Sequence, residues 1–208
     1  MKILVTGFEP FGGEAVNPSI ETVNRLPDQI AGARIIRLEI PTVRGKSLQV
    51  IEEALRRHDP DVILCVGQAG GRAQISVERV GINVDDFSIP DNEGNQVTDQ
   101  PVCPGGPDAY FVTVPIRAMA ERIRARKIPA GISNTAGTFV CNHVTYGVCH
   151  MIATKYPGKR SGFIHIPFLP EQVAEKGGTS QAGAPSMSGE MMVEAMCAAI
   201  EAIVDTSQ

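Results

Sequence analysis

The 208-residue chain is short of cysteine, of phenylalanine and of positive charge, and each shortage excludes a class of protein. Its five cysteines are too few and too scattered for a disulfide scaffold, an odd count leaves one over, and none forms a CxxC pair. Lys plus Arg total 19 against 23 Asp plus Glu, a formal charge of −4, so nothing draws the chain generally to phosphate backbones or anionic lipid. Nucleic acid is therefore not an expected partner. The longest stretch free of Asp, Glu, Lys and Arg, residues 128–154, holds three Gly, a Pro, two Asn and two His, which does not suit a membrane helix. The start, Met1-Lys2-Ile3-Leu4-Val5-Thr6-Gly7, has one Lys and an apolar run cut short by Thr6 and Gly7, so it does not read as a signal peptide. The expectation is a soluble, cytoplasmic protein with no membrane partner. Internal repeats and linker-like stretches are also lacking, so residues 1–208 read as one domain.

What is present points to a folded α/β domain. Apolar residues make up 43% and charged residues 20%, a globular balance. Strand-like runs alternate with helix-like ones, as in a sheet covered on both faces. Strands are predicted over 2–8, 33–40, 61–66, 74–83, 131–134 and 161–168. Helices are predicted from Asn17-Pro18-Ser19 onward and over 47–57, 115–126, 142–156 and 188–204. Two segments resist this pattern, 84–107 with its four prolines and 170–187. Connections that long are usually lids or binding loops, so both are expected to border an active site or a subunit contact.

Cys141 is the leading candidate for chemistry. A short strand runs through a Gly turn, Thr135-Ala136-Gly137-Thr138-Phe139-Val140-Cys141-Asn142-His143, into a helix, which places Cys141 within about a turn of the helix N-terminus. Free N–H groups and the positive end of the helix dipole there favour thiolate over thiol and offer donors to an oxyanion. Cys65, Cys149 and Cys197 fall inside elements and read as small buried hydrophobes, while Cys103 sits in a loop with no partner in view. A thiol nucleophile wants an imidazole. His58 closes a helix, His143 and His150 lie on the Cys141 helix, and His165 lies late in an apolar strand, where α/β folds place ligand sites. Zinc is not expected: positions 141 and 149 are about 12 Å apart along one helix, and no HxxxH spacing occurs.

The imidazole needs an orienting acid. Glu78, beside Arg79 in an otherwise apolar strand, and Asp91, in the loop after Ile89-Pro90, are rivals that spacing does not separate. The turn Gly67-Gln68-Ala69-Gly70-Gly71-Arg72 follows a strand and could cradle a phosphate, yet it matches neither GxGxxG nor GxxxxGK[ST]. Alternatively its glycines let the chain approach a neutral ligand to which Gln68 offers a donor and an acceptor. Phe8 and Phe11 follow the first strand on a Gly/Pro loop and suggest a pocket wall, with a plain core role as the alternative.

Together these residues resemble the type I pyroglutamyl peptidases, or pyrrolidone-carboxylate peptidases, a family of cysteine exopeptidases. The matching motifs are Thr6-Gly7-Phe8-Glu9-Pro10-Phe11-Gly12-Gly13 with Asn17-Pro18-Ser19, Gly67-Gln68-Ala69-Gly70-Gly71-Arg72 with Glu78-Arg79, Pro90-Asp91-Asn92-Glu93-Gly94, Ser133 through Asn142, and His165-Ile166-Pro167. The resemblance implies a three-layer α/β/α sandwich with a mostly parallel, mixed central sheet. It implies Cys141 as nucleophile, His165 as base and Glu78 as the residue orienting His165. It further implies that Phe8, Phe11, Gln68, Ile89, Phe139 and Val140 hold the substrate, a peptide with N-terminal pyroglutamate. No cofactor or metal is implied, and assembly as a homo-oligomer, dimer or tetramer, is. One position departs from the family pattern: many members carry Arg two residues before the loop proline, where this chain has Ser88. Three other readings remain open at this point: a thiol-dependent hydrolase of small amides, a phosphorylase-like protein binding phosphate or nucleoside, and a catalytically dead structural protein.

Overall fold

A computed structural model describes residues 1–206. In chain order its elements are β1 (Lys2–Phe8), α1 (Pro18–Asn24), β2 (Gln29–Ile30), β3 (Ala33–Ile40), α2 (Lys46–His58), β4 (Val62–Gln68), β5 (Ile75–Glu78), β6 (Val80–Ile82), β7 (Ala109–Phe111), α3 (Ile116–Ala125), β8 (Ala130–Ser133), α4 (Val140–Thr154), β9 (Arg160–Ile166), α5 (Pro170–Glu175) and α6 (Gly189–Asp205). Seven strands form one sheet in the order β2-β3-β1-β4-β9-β5-β8. β3, β1, β4 and β9 run parallel, as do β5 and β8, while β2 against β3 and β5 against β9 are antiparallel.

The period-2 alternation of side chains divides the interior into two layers. Along β4, Val62, Leu64 and Val66 face one core with Ile20 and Val23 of α1, Met119 and Ile123 of α3, and Met192, Met196 and Ile200 of α6. Ile63 and Cys65 face the other, with Ile51 and Leu55 of α2 and Val140, Val144 and Val148 of α4. The strands are apolar on both sides because helices cover both sides. The result is a three-layer α/β/α sandwich with a mixed, mostly parallel sheet.

The helix ends follow local chemistry. Asn17 caps α1 by accepting from the Ser19 N–H at 3.0 Å, with Pro18 in the first turn. Ser188 caps α6 by accepting from the Met191 N–H at 3.3 Å. One sequence expectation needs correction, and one unpatterned segment holds a short element. The run 74–83 is two strands: it breaks at Arg79, β5 stays in the main sheet, and β6 turns away to pair with β7 in a separate hairpin. The segment 170–187 is not devoid of regular structure, since Pro170 opens the short helix α5.

Candidate active site

The site forms where β4 and β9 end side by side under the start of α4. Their register pairs Gly67 with His165 and Cys65 with Phe163, so position 67, Phe163 and His165 all face the α2/α4 layer. Phe139 is the N-cap of α4 and Cys141 its second residue. The sulfur comes to rest directly over Gly67: a Cβ built there would lie 2.9 Å from Cys141 Sγ and 2.8 Å from Phe163 Cζ. Real side chains essentially never approach that closely, so glycine at 67 makes room for the sulfur. The thiol and the imidazole of His165 thus lie on one face of two hydrogen-bonded strands.

His165 is held from behind. Its Nδ1 lies 2.8 Å from Glu78 Oε1, on β5, which pairs with β9 on the far side from β4. Glu78 has no solvent exposure. Arg72 Nη1 donates to the same oxygen at 2.7 Å, and Arg72 Nη2 donates to Thr135 O at 3.2 Å. An ionised carboxylate only accepts, so Nδ1 carries the proton and Nε2 is left as an acceptor.

These surroundings set the protonation states. Burial pushes the Glu78 carboxyl up, but the hydrogen bond and charge of His165, with Ser133 and Arg72, outweigh it and hold the group below its ordinary range. His165 moves down, because burial disfavours the imidazolium more than Glu78 supports it. Cys141 moves the other way: burial first, then the negative charge of Glu78, push its thiol up to about 12. Burial and the charge of Glu78 thus oppose the thiolate that the helix N-terminus favours. No hydrogen bond joins the thiol and the imidazole among the described residues, and both shifts favour the neutral forms.

The helix start supplies donors. The first bond of the helical pattern here is His143 N–H to Phe139 O, at 3.1 Å, so the amides of Val140, Cys141 and Asn142 precede it and have no intrahelical acceptor. Asn142 anchors this end. Its Nδ2 donates to Ile82 O at 2.9 Å and Val84 O at 2.8 Å, and its Oδ1 accepts from Ile82 N at 3.0 Å.

Beside the site lies a cleft of about 320 Å³, lined by Phe11, Gln68, Ile89, Phe168, Glu14 and Gln181. The Phe139 ring, 5.9 Å from Phe11 and 4.8 Å from Phe87, carries the aromatic wall toward Cys141. Phe8 and Val140 are placed differently from a cleft lining. Phe8 is 2% exposed and packs on Phe163, and Val140 has no exposed surface. Their side chains support the wall from within the core, and what Val140 can offer outward is its amide.

Position resolves several of the rivals that spacing left open. Asp91 accepts from the backbone N–H groups of Glu93 and Asn95 in its own loop and of Arg44 just before α2, and it does not bond His165. Arg72 is engaged by Glu78, which removes the cation that a phosphate turn would need. His143 bonds Asp85 at 2.9 Å through Nδ1 and accepts from Gly45 N at 3.0 Å through Nε2, a buried structural pair. Among the described residues no group of three or more His, Cys, Asp or Glu is arranged to hold a metal ion.

Two contributors carry no signal of their own in the sequence. Arg72 stands out there only as part of a glycine-rich turn, and its proximity to Glu78 depends on how that turn folds back. Gln172 on α5 is buried, accepts from Leu169 N at 3.0 Å, and donates through Nε2 to Gln68 Oε1 at 3.0 Å. The backbone donor fixes the Gln172 amide, which then fixes that of Gln68, so the Gln68 NH₂ is what remains for the cleft.

Comparison with known proteins agrees with this geometry. The family model described as pyroglutamyl peptidase matches residues 1–206. The pyrrolidone-carboxylate peptidase of Treponema denticola is 61% identical, over 100% of this chain and 95% of that protein. That of Finegoldia magna is 56% identical, again over 100% and 95%. Among solved structures, pyroglutamyl peptidase I of Bacillus amyloliquefaciens superposes with a TM-score of 0.92 at 48% identity, covering 98% of this chain and 97% of the other. A mutant pyrrolidone carboxyl peptidase from the hyperthermophile Pyrococcus furiosus gives 0.95 at 46% identity, covering 100% of both. With similarity extending over essentially its full length, the chain belongs to the pyroglutamyl peptidase family.

Proposed function

We propose that this chain is a cysteine exopeptidase that releases pyroglutamate from the N-terminus of peptides, with Cys141 as nucleophile, His165 as base and Glu78 as the residue that orients the ring. The observation that carries the reading is the seating of the Cys141 sulfur over Gly67, in register with an imidazole whose other nitrogen is bonded to a buried carboxylate. Nucleophile, base and orienting group in that relation are the signature of acyl transfer.

An N-terminal pyroglutamyl residue has no ammonium, so an acidic anchor of the aminopeptidase kind would have nothing to bind. It presents a small neutral lactam with one N–H, one C=O and an otherwise apolar ring. A wall of Phe11, Phe139 and Ile89, with the Gln68 amide as a neutral polar contact, suits it.

In the reaction, Cys141 Sγ attacks the pyroglutamyl carbonyl carbon as its proton passes to His165 Nε2. Because both groups start neutral, this transfer accompanies attack. The negative charge on the carbonyl oxygen is met by the amides of Val140 and Cys141 at the helix start. Collapse expels the peptide amine, which takes the proton from Nε2 and leaves a thioester on Cys141. Water, deprotonated by the same nitrogen, hydrolyses the thioester and regenerates the thiol. The bonds from His165, with Ser133 and Arg72, keep Glu78 ionised, and Glu78 stabilises the imidazolium that forms in each half-reaction.

The reading extends to the setting. We take the enzyme to act in the cytoplasm, which suits five free cysteines, and as a dimer or tetramer, as the family resemblance implies. No described helix is long and apolar enough to cross a membrane. The function is tested with a panel of anilides carrying pyroglutamyl, prolyl or glutaminyl groups. Only the pyroglutamyl compound should be cleaved efficiently. Preference for the glutaminyl compound would identify a small-amide hydrolase instead.

A further inference from the structure

A second cysteine–histidine pair lies outside the cleft. Cys103 Sγ is 3.3 Å from His150 Nε2, and His150 Nδ1 is 3.1 Å from the Tyr110 hydroxyl. The three residues come from different parts of the fold: the 84–107 loop, the body of α4, and β7. His150 lies nine positions beyond Cys141 on the same helix, about 13 Å along its axis.

The pair is held in place on every side. Asn83 clamps the Cys103 backbone, with Oδ1 accepting from Cys103 N at 2.8 Å and Nδ2 donating to Cys103 O at 2.9 Å. The His150 ring stacks on Tyr146, with centroids 6.1 Å apart and planes 9° apart, and meets the Tyr110 ring edge-on at 5.8 Å. Tyr146 in turn donates to Pro107 O at 2.7 Å, fixing the end of the loop. Cys103 is only partly buried, unlike Cys65 and Cys149.

We propose that Cys103 is a second nucleophilic thiol of this protein, activated by His150 with Tyr110 as the orienting group, and a modification site for low-molecular-weight disulfides. A nucleophile in hydrogen-bond reach of a base that a third group orients is the general condition for such activation. Activation uses the tautomer in which Tyr110 accepts from His150. With the proton on Nδ1, directed at the Tyr110 oxygen, Nε2 accepts the Cys103 thiol proton. In the exchange, Cys103 Sγ attacks one sulfur of the disulfide RSSR. The new bond is Cys103–S–S–R, the old S–S bond breaks, and the leaving thiolate takes the proton held by His150 and departs as RSH. One disulfide is consumed and one formed, so no external oxidant is required.

The other thiols differ in setting. Cys65 and Cys149 are buried, and Cys197 on α6 has the same intermediate exposure as Cys103 but no imidazole bonded to it among the described residues. Cys197, which burial and then the charge of Glu201 push up, serves as the comparison thiol, and His150→Gln isolates the effect of the imidazole. The site is also separate from the cleft, so its modification leaves the chemistry at Cys141 in place.

The test maps modification of the Cys141→Ser protein, residue by residue, by mass spectrometry after timed exposure to bis(2-hydroxyethyl) disulfide and, in parallel, iodoacetamide. Cys103 is expected to react at least about tenfold faster than Cys197, and His150→Gln to slow Cys103 by about the same factor. Equal rates at Cys103 and Cys197, or a Cys103 rate indifferent to His150→Gln, would overturn the proposal and reduce the cluster to a structural tie between the loop and α4. Should His150→Gln not fold, Tyr110→Phe, which removes only the orienting hydroxyl, takes its place with the same two outcomes.

Discussion

At the scale of single residues, burial shifts three groups in different directions, and the chemistry rests on the result. Glu78 stays ionised below its usual range, while His165 stays neutral and Cys141 stays a thiol. Glu78→Gln keeps the shape and removes the charge that stabilises the imidazolium. Its kcat should fall by up to about 10⁴, by analogy with the acid of a serine triad, whereas Asp91→Asn should disturb only its loop. Steady-state kinetics on both variants decides the matter, and the reverse ranking would assign the orienting role to Asp91. The pH profile follows from the same shifts. Attack requires a neutral His165, and because burial lowers that group, kcat/KM should reach half its plateau below pH 6.5, the ordinary imidazole value. It should then stay level through neutrality, because the thiol ionises only near 12. A fall in kcat/KM just above neutrality, as an imidazolium lost its proton, would indicate a preformed thiolate–imidazolium pair instead.

Cys141 and His165 are legible in the sequence because each breaks a local pattern, a thiol at a helix start and a polar residue in an apolar strand. The choice between Glu78 and Asp91 is not legible there, because it depends on which strand lies beside β9. The thiol's state is not legible either. A helix dipole is a local property that sequence reveals, but desolvation and the charge of Glu78, 63 positions away by number (141 − 78), are tertiary.

At the scale of elements, the site depends on α4 resting closely on β4. Gly67 is the point of approach, and its missing side chain is what the sulfur occupies. Gly67→Ala places a methyl within 2.9 Å of Sγ and 2.8 Å of Phe163, so either the sulfur or the ring must shift. A displacement near 1 Å at a reacting atom costs about a hundredfold. The expected outcome is a fall in kcat of that order, with the far-ultraviolet circular dichroism unchanged. An active Gly67→Ala enzyme would show that the sulfur does not work from this seat.

Periodicity identifies most helices and buried strands to within a few residues, because both layers of the sandwich impose strong apolar patterns. It fails at 74–83, where an apolar run continues while the chain leaves one sheet for another. Arg79 marks that break, but Asn142 holds it through three bonds to Ile82 and Val84. Short pieces such as β2, β7 and α5 carry too few residues to show a period.

At the scale of the whole molecule, the α/β sandwich brings a strand from the middle of the chain, a helix start and a late strand together at the C-terminal ends of the central strands. The two segments without periodic apolar residues contribute Ile89 and Gln181 to the cleft beside those strand ends. Motif order and spacing carry the resemblance to the pyroglutamyl peptidases over nearly the full length, and the fold and comparisons place the chain in that family. The supporting contacts of Arg72 and Gln172 are not visible in the sequence, because they are relations between segments rather than motifs. The most direct measurement is release of a chromogenic amine from a pyroglutamyl conjugate by the wild-type protein and by Cys141→Ser, each with and without prior treatment with iodoacetamide. A nucleophilic Cys141 predicts steady release by the wild type, loss of that release after alkylation, and almost none from a fully folded Cys141→Ser. A folded Cys141→Ser that retained half the wild-type rate would contradict it.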